Sequence, residues 1–214
     1  MWATYQKLVD IVDLEIVQWG NTLGDGTLNG TTCQHGAVEC RVQRVYACNK
    51  YRTHADEHAK FVKCFDDVLL QTFPAGLPEP SPVNRTFADA SLHKCAKAGG
   101  FSYAFLDRCA SGAEGEGFFA REKAKTPAHR GVPFVTLDGG AILYNSPTLD
   151  LPAEVCKAYT GSPKPAACTA PLSPTEVEGA PGTASLPAPP SPYAYTSLLT
   201  PTTIAEATVE VEVA

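Results

Sequence analysis

At 214 residues and 44% hydrophobic content, the chain is long enough to bury one sizeable core, and eight cysteines set it apart from an ordinary globular composition. A formal charge of −6 at pH 7, with 17 basic residues that gather into no run or stripe, argues against a nucleic-acid partner. The sequence has no apolar stretch long enough to cross a bilayer, so a membrane partner is not expected either.

In chain order, residues 5–10 carry a short helical pattern, and Val12, Leu14 and Ile16 alternate with Asp13 and Glu15 as in a strand. Gly20, Gly24, Gly26 and Gly30 mark an exposed excursion. From Ala37 to about Tyr51, the recurrence of Val38, Val42, Val45 and Asn49 predicts a helix. At roughly 1.5 Å per residue, Cys40 and Cys48 on that helix would be about 12 Å apart, beyond the roughly 7 Å reach of a disulfide, so they should not pair with each other.

A second helix is predicted over 54–72, with Phe61, Phe65, Val68 and Leu69 on its apolar face. Pro74, Pro78, Pro80 and Pro82 end it. Residues 87–98 and 101–108 read as short helices with ambiguous caps, and Gly112 to Gly117 reads as a glycine-rich loop, without the ending of a phosphate loop. Residues 132–143 predict two strands joined at Asp138-Gly139, followed by a helix over 149–159. Beyond Cys168, Pro, Ala, Ser and Thr dominate up to Pro201, and the chain closes on Val209-Glu210-Val211-Glu212-Val213; residues 169–214 are expected to be a disordered tail.

The even set Cys33, Cys40, Cys48, Cys64, Cys95, Cys109, Cys156 and Cys168 suits a disulfide framework in an oxidising compartment. Eight cysteines allow 105 pairings, although Cys156 and Cys168 could close a small loop together. Two N-x-[ST] triplets, at Asn29 and Asn84, lie in expected surface loops and read as glycan acceptors. A secretory leader is nevertheless not visible at the start of the sequence.

Cys33-Gln34-His35-Gly36, then Glu39 and Cys40, then Cys48 follow the spacing C-Q-H-G-x-x-E-C-x-x-N-x-x-x-x-C, with Gln43 at the asparagine position. On this motif the chain resembles the gamma-interferon-inducible lysosomal thiol reductase (GILT) family. Val17 to Asn21, Gly131 to Gly139, and Cys156 to Gly161 with Cys168 are similar to further family segments, so the resemblance spans about residues 1–168.

That resemblance implies an α/β, thioredoxin-like sheet with a cysteine-rich helical insertion at about 33–128. It also implies a cis proline at Pro133, with Val132 and Pro133 contacting the substrate peptide. The implied activity is thiol-disulfide oxidoreduction of disulfide-bonded protein substrates, by a monomer without cofactor, in a lysosomal or secreted location. Such chemistry needs a low-pKa thiolate and a resolving cysteine, normally as C-x-x-C, and the sequence contains no such motif. In the family that motif opens the helix before the first visible strand. The expectation is therefore an incomplete amino terminus, lacking leader, first strand and C-x-x-C, with no catalytic residue in this chain and its cysteines structural.

Two further readings compete. One is a non-catalytic, disulfide-stabilised binding module that keeps the groove around Pro133. The other is a zinc hydrolase on His54, Glu57 and His58, which match H-x-x-E-H, although no third ligand stands out and no metal is expected.

Overall fold

The computed structural model describes residues 2–75, 81–129, 131–142, 150–169 and 207–212. The chain opens with α1 (Trp2–Leu8) and turns at Leu8 to Ile11, both buried, into β1 (Val12–Val17). Within β1, Leu14 and Ile16 face the core, as the alternation required. The glycine-rich excursion holds a two-stranded ribbon of β2 (Leu23–Gly24) and β3 (Thr31–Thr32).

Five helices follow: α2 (Ala37–Lys50), α3 (Ala55–Thr72), α4 (Arg85–Ala98), α5 (Tyr103–Ala110) and α6 (Ala113–Lys125). Pro78 and Pro80, expected to end α3, lie outside the described residues, and α3 stops at Thr72 before Pro74. The caps that the sequence left open are Asn84, whose Oδ1 accepts from Phe87 N–H at 2.9 Å, and Ser102, whose Oγ accepts from Phe105 N–H.

The hub of this half is α2, on which every residue from Cys40 to Asn49 is buried. Its apolar side chains pack with α3 and α4, where Tyr46 meets Phe61 and Phe65 edge-on and Phe61 meets Phe101. Its polar side chains must then find partners away from water. Arg41 takes Asp89 at 2.8 Å and Asp107 at 2.5 Å, clamping α4 and α5 to α2. Lys50 reaches the fully buried Glu122 of α6 at 3.0 Å and the carbonyl of Ile16 in β1 at 2.7 Å.

Residues 112–117, read from the sequence as a loop, instead form the N-cap and first turn of α6. The glycines permit this. A Cβ on Gly115 would stand 2.4 Å from the carbonyl oxygen of Cys109, so only glycine lets α6 start this close to the end of α5. Glu114 and Glu116 in the first turn favour the positive end of the helix dipole.

The hairpin is present as β4 (Phe134–Leu137) and β5 (Ala141–Ile142), with Asp138 and Gly139 both at positive φ in the turn. The predicted end of its second strand at Leu143 lies outside the described residues. Next come α7 (Leu151–Ala158), capped by Asp150, and α8 (Ala166–Thr169). The final element is β6 (Ala207–Glu212).

The main sheet runs β1-β6-β4-β5, with β6 parallel to β1 and antiparallel to β4. Residues 207–212 thus depart from the disorder expected of the tail, because the alternation Val209, Glu210, Val211, Glu212 suits an interior strand with neighbours on both sides. The Pro-rich residues 170–206 lie outside the described residues. Among the described residues, no helix is long and apolar enough to cross a membrane.

The eight cysteines form four disulfides: Cys33–Cys40, Cys48–Cys109, Cys64–Cys95 and Cys156–Cys168. They staple the turn before α2 to its first turn, α2 to α5, α3 to α4, and α7 to α8. The architecture is a mixed, helix-rich α/β unit in which cysteine bridges reinforce the helical layer.

Candidate functional site

The turn before α2 is built from the motif residues themselves. The Gly36 N–H donates to the Cys33 carbonyl at 3.1 Å, and Gly36, at φ 92, swings the chain into the helix. Glu39, one turn on, accepts the backbone N–H of His35 and lies 3.3 Å from its ring Nδ1, while Cys40 bonds Cys33. Gln43, the departure from the motif, is 2% exposed and fits between two partners. Its Nε2 donates to Glu39 Oε1 at 3.3 Å and its Oε1 accepts from Thr22 Oγ1 at 3.0 Å. The seventh motif residue, Cys48, lies further down α2 in its bridge to α5.

Beneath this turn, Trp19 from the end of β1 packs on Phe119 of α6, with ring centroids 4.9 Å apart, and both join the Cys33–Cys40 bridge in a small apolar cluster. The chain bends after Trp19, bonding Thr22 N–H to its carbonyl, and presents Asn21 at the surface edge of the cluster.

Asn21 joins the motif turn to the segment that enters β4. Its Nδ2 donates to Gln34 Oε1 at 2.8 Å, and its Oδ1 lies 3.3 Å from His129 Nε2. The other ring nitrogen of His129 faces the Pro127 carbonyl at 2.9 Å, so a neutral ring donates to one of the two and an imidazolium to both. The His129 ring also packs against Phe134, centroid to centroid 5.5 Å. Gln34, Asn21, His129 and Phe134 therefore form a continuous contact chain from the motif to the start of β4.

At that start, the Val132–Pro133 peptide is cis. Pro133 is exposed and Val132 half-buried, whereas Phe134 and Val135 are buried in the sheet. Paired strand begins only at Phe134, so the backbone of Val132 and Pro133 projects beyond the paired part of β4. The motif pointed to Gln34 and the hairpin to Pro133. His129 belongs to no motif, and nothing in the sequence announced that it couples the two.

The H-x-x-E-H residues do not converge on a metal. His54 caps α3, its N–H bonded to Glu57 Oε2 at 3.3 Å, while His58 is 2% exposed in the core with Nδ1 held 2.9 Å from Asn49 Oδ1. Burial, with the charge of Lys50 as a second cause, pushes the His58 pKa down to about 3. Among the described residues, no group of three His, Cys, Asp or Glu side chains is placed to hold a metal ion. The zinc-hydrolase reading is therefore dropped. Asn29, in a turn, and Asn84, at the N-cap of α4, are both exposed.

Residues 1–74 match the family described as gamma interferon inducible lysosomal thiol reductase (GILT). A gamma-interferon-responsive lysosomal thiol protein of Arabidopsis thaliana is 29% identical over 161 residues, covering 72% of this chain and 59% of that protein. Gamma-interferon-inducible lysosomal thiol reductases of Mus musculus and Carassius auratus are 25% identical over 185 residues and 28% identical over 176 residues. Those matches cover 79% and 77% of this chain, and 63% and 62% of the relatives. The chain thus spans about three fifths of the length of the curated relatives it matches.

Proposed function

We propose that the chain, whose residues 1–74 match the gamma interferon inducible lysosomal thiol reductase family, serves thiol-disulfide exchange on protein disulfides in a lysosomal or secreted compartment, holding the substrate chain beside Val132 and Pro133. The carrying observation is the contact chain Gln34, Asn21, His129, Phe134, which joins the family motif to the exposed backbone entering β4. An extended peptide laid along Val132 and Pro133 would add to backbone outside the β4 ladder, with Phe134 anchoring the segment below. This reading implies a thioredoxin-like arrangement of β1, β4, β5 and α7, acting as a monomer and without a cofactor.

In such exchange a thiolate attacks one sulfur of the substrate disulfide, the other sulfur leaves as a thiolate, and a second cysteine breaks the mixed disulfide to release reduced substrate. All eight cysteines here are already paired, so the attacking thiolate is none of them as they stand. That same observation favours a second reading, in which the chain is a non-catalytic binding module that retains the groove around Pro133.

The test pairs turnover with binding. In an insulin reduction assay, the 214-residue chain is expected to show no rate above a thiol-only control, while binding a disulfide-bonded peptide that Val132→Asp no longer binds. Turnover above the control would mean that one of the four bridges opens to act, and that their structural role is wrong. Neither turnover nor binding would reject both readings. The luminal reading further expects glycans on Asn29 and Asn84, each seen as a glycosidase-sensitive mass shift after expression through a secretory route.

A further inference from the structure

The face of α2 that carries the motif residues Glu39 and Gln43 also opens a cavity of about 110 Å³ against α3. A water takes up about 30 Å³ of liquid, so the space admits a guest of several heavy atoms. Val42, Tyr46 and Phe65 form its buried floor, and Val38 and Leu69, both half-buried, form its sides. Two carboxylates border it, Asp66 and Glu39, the second already facing His35. Among the described residues that line it there is no lysine or arginine, so an anionic guest would meet negative charge and no strong cation.

Tyr46 is the unusual member of this lining. It is 4% exposed and its ring is held edge-on by Phe61 and Phe65, yet among the described residues its hydroxyl takes part in no hydrogen bond. Buried polar groups are ordinarily paired, so a bare hydroxyl at a cavity floor points to a partner from outside. It is not sealed in the core as His58 Nε2 is; it keeps accessible surface, and the cavity is the space that reaches it. Burial first, then the charge of Asp66, raise the Tyr46 pKa well above the ordinary phenol value, so the group stays a neutral hydroxyl within reach of the Asp66 field. We propose that this cavity binds a primary alkylammonium group on a short aliphatic stem, the stem lying on Val38, Val42 and Leu69 and the ammonium donating to the Tyr46 hydroxyl oxygen on the side of Asp66. An ammonium has three donors, so the bond to Tyr46 leaves two for the carboxylate or water. Such a group belongs to a free small amine or to a lysine side chain of a bound protein. The site uses neither Val132 nor Pro133, so failure of either reading leaves the other standing.

The test follows the methyl resonances of Val42 and Leu69 in the full chain at neutral pH during titration with butylammonium, and separately with a blocked Ala-Lys-Ala peptide, at constant ionic strength. Butanol, of similar shape but uncharged, is the control. Saturation at lower concentration by butylammonium identifies a free amine as guest; saturation at equal or lower concentration by the peptide identifies a lysine side chain. No saturation by either, or butanol binding as tightly as butylammonium, overturns the site. Tyr46→Phe keeps the ring and removes only an unbonded hydroxyl, so the variant should fold while its butylammonium affinity falls by about tenfold, the loss expected for one hydrogen bond to a charged group. Should it fail to fold, Asp66→Asn on the half-buried side of α3 decides: it should weaken butylammonium by a similar factor and leave butanol unchanged. Unchanged butylammonium affinity in either variant overturns the proposal.

Discussion

Glu122 shows how much one side chain can hold together. Fully buried on α6, it accepts from the backbone of Gln18 at 2.8 Å, from Lys50 and from the Tyr51 hydroxyl at 2.8 Å, so β1, α2 and α6 meet at one carboxylate. Burial first, then the Glu122 charge, raise the Tyr51 pKa. Glu122→Gln keeps the shape but removes the charge facing Lys50, which should cost about 3–5 kcal/mol in urea unfolding, the usual penalty for breaking a buried pair. Tyr51 should then titrate at lower pH, read from its ultraviolet absorbance. His58 gives the complementary pH prediction. Its folded pKa, about 3, lies below the ordinary histidine value, so the unfolded chain takes up the proton first. The neutral ring contributes its stability above about pH 6.5, and that contribution drains away as pH falls toward 3. His58→Phe should flatten this part of the stability profile in urea titrations between pH 3 and 7; an unchanged slope would mean that the ring is not buried neutral. A protein of an acidic compartment would work on that slope.

At the scale of elements, the bridges differ in what they restrain. Cys48–Cys109 closes 61 residues and ties α2 to α5, whereas Cys33–Cys40 closes only 7 within one turn. Loop-closure entropy then predicts that replacing the first pair by alanines costs about 4 kcal/mol and the second about 2.5 kcal/mol, compared in urea under oxidising conditions. Equal losses would point to strain or packing as the dominant contribution. These pairings also show where sequence reading stops. Helical rise alone separates Cys40 from Cys48, but the partner of Cys48 depends on how α5 packs across α2, and no local pattern encodes that. Helices with a clear apolar stripe, such as α3, were legible. By contrast, α6 was hidden by a glycine-rich start, in which the purpose of Gly115, close approach to Cys109, exists only after packing. The candidate site divides the same way. Gln34 and Pro133 stand in recognisable segments, while Asn21 and His129 gain their roles only because the turn after β1 and the approach to β4 converge in space.

For the whole molecule, the decisive contact is between its two ends. Among the described residues, β1 and β4 are joined in the sheet through β6, which pairs with β1 from Val12↔Ala207 to Val17↔Glu212 and with β4 from Phe134↔Glu212 to Leu137↔Val209. An interior strand satisfies backbone donors and acceptors on both sides, so removing it leaves β1 and β4 each with an unpaired edge, the surface that invites association with other chains. Truncation after residue 206 should therefore lower Tm by more than about 4 °C, the shift worth roughly 1 kcal/mol or more for a chain of this length. It should also raise the dimer and aggregate fraction in size-exclusion chromatography. Val209→Pro tests the same strand without shortening the chain, since proline removes a donor that an interior strand needs. If β6 completes the sheet, a synthetic peptide of residues 207–212 should restore the Tm of the truncated chain in a saturable way. A truncated chain that keeps its Tm and stays monomeric would show that β1 and β4 do not depend on the C-terminal strand.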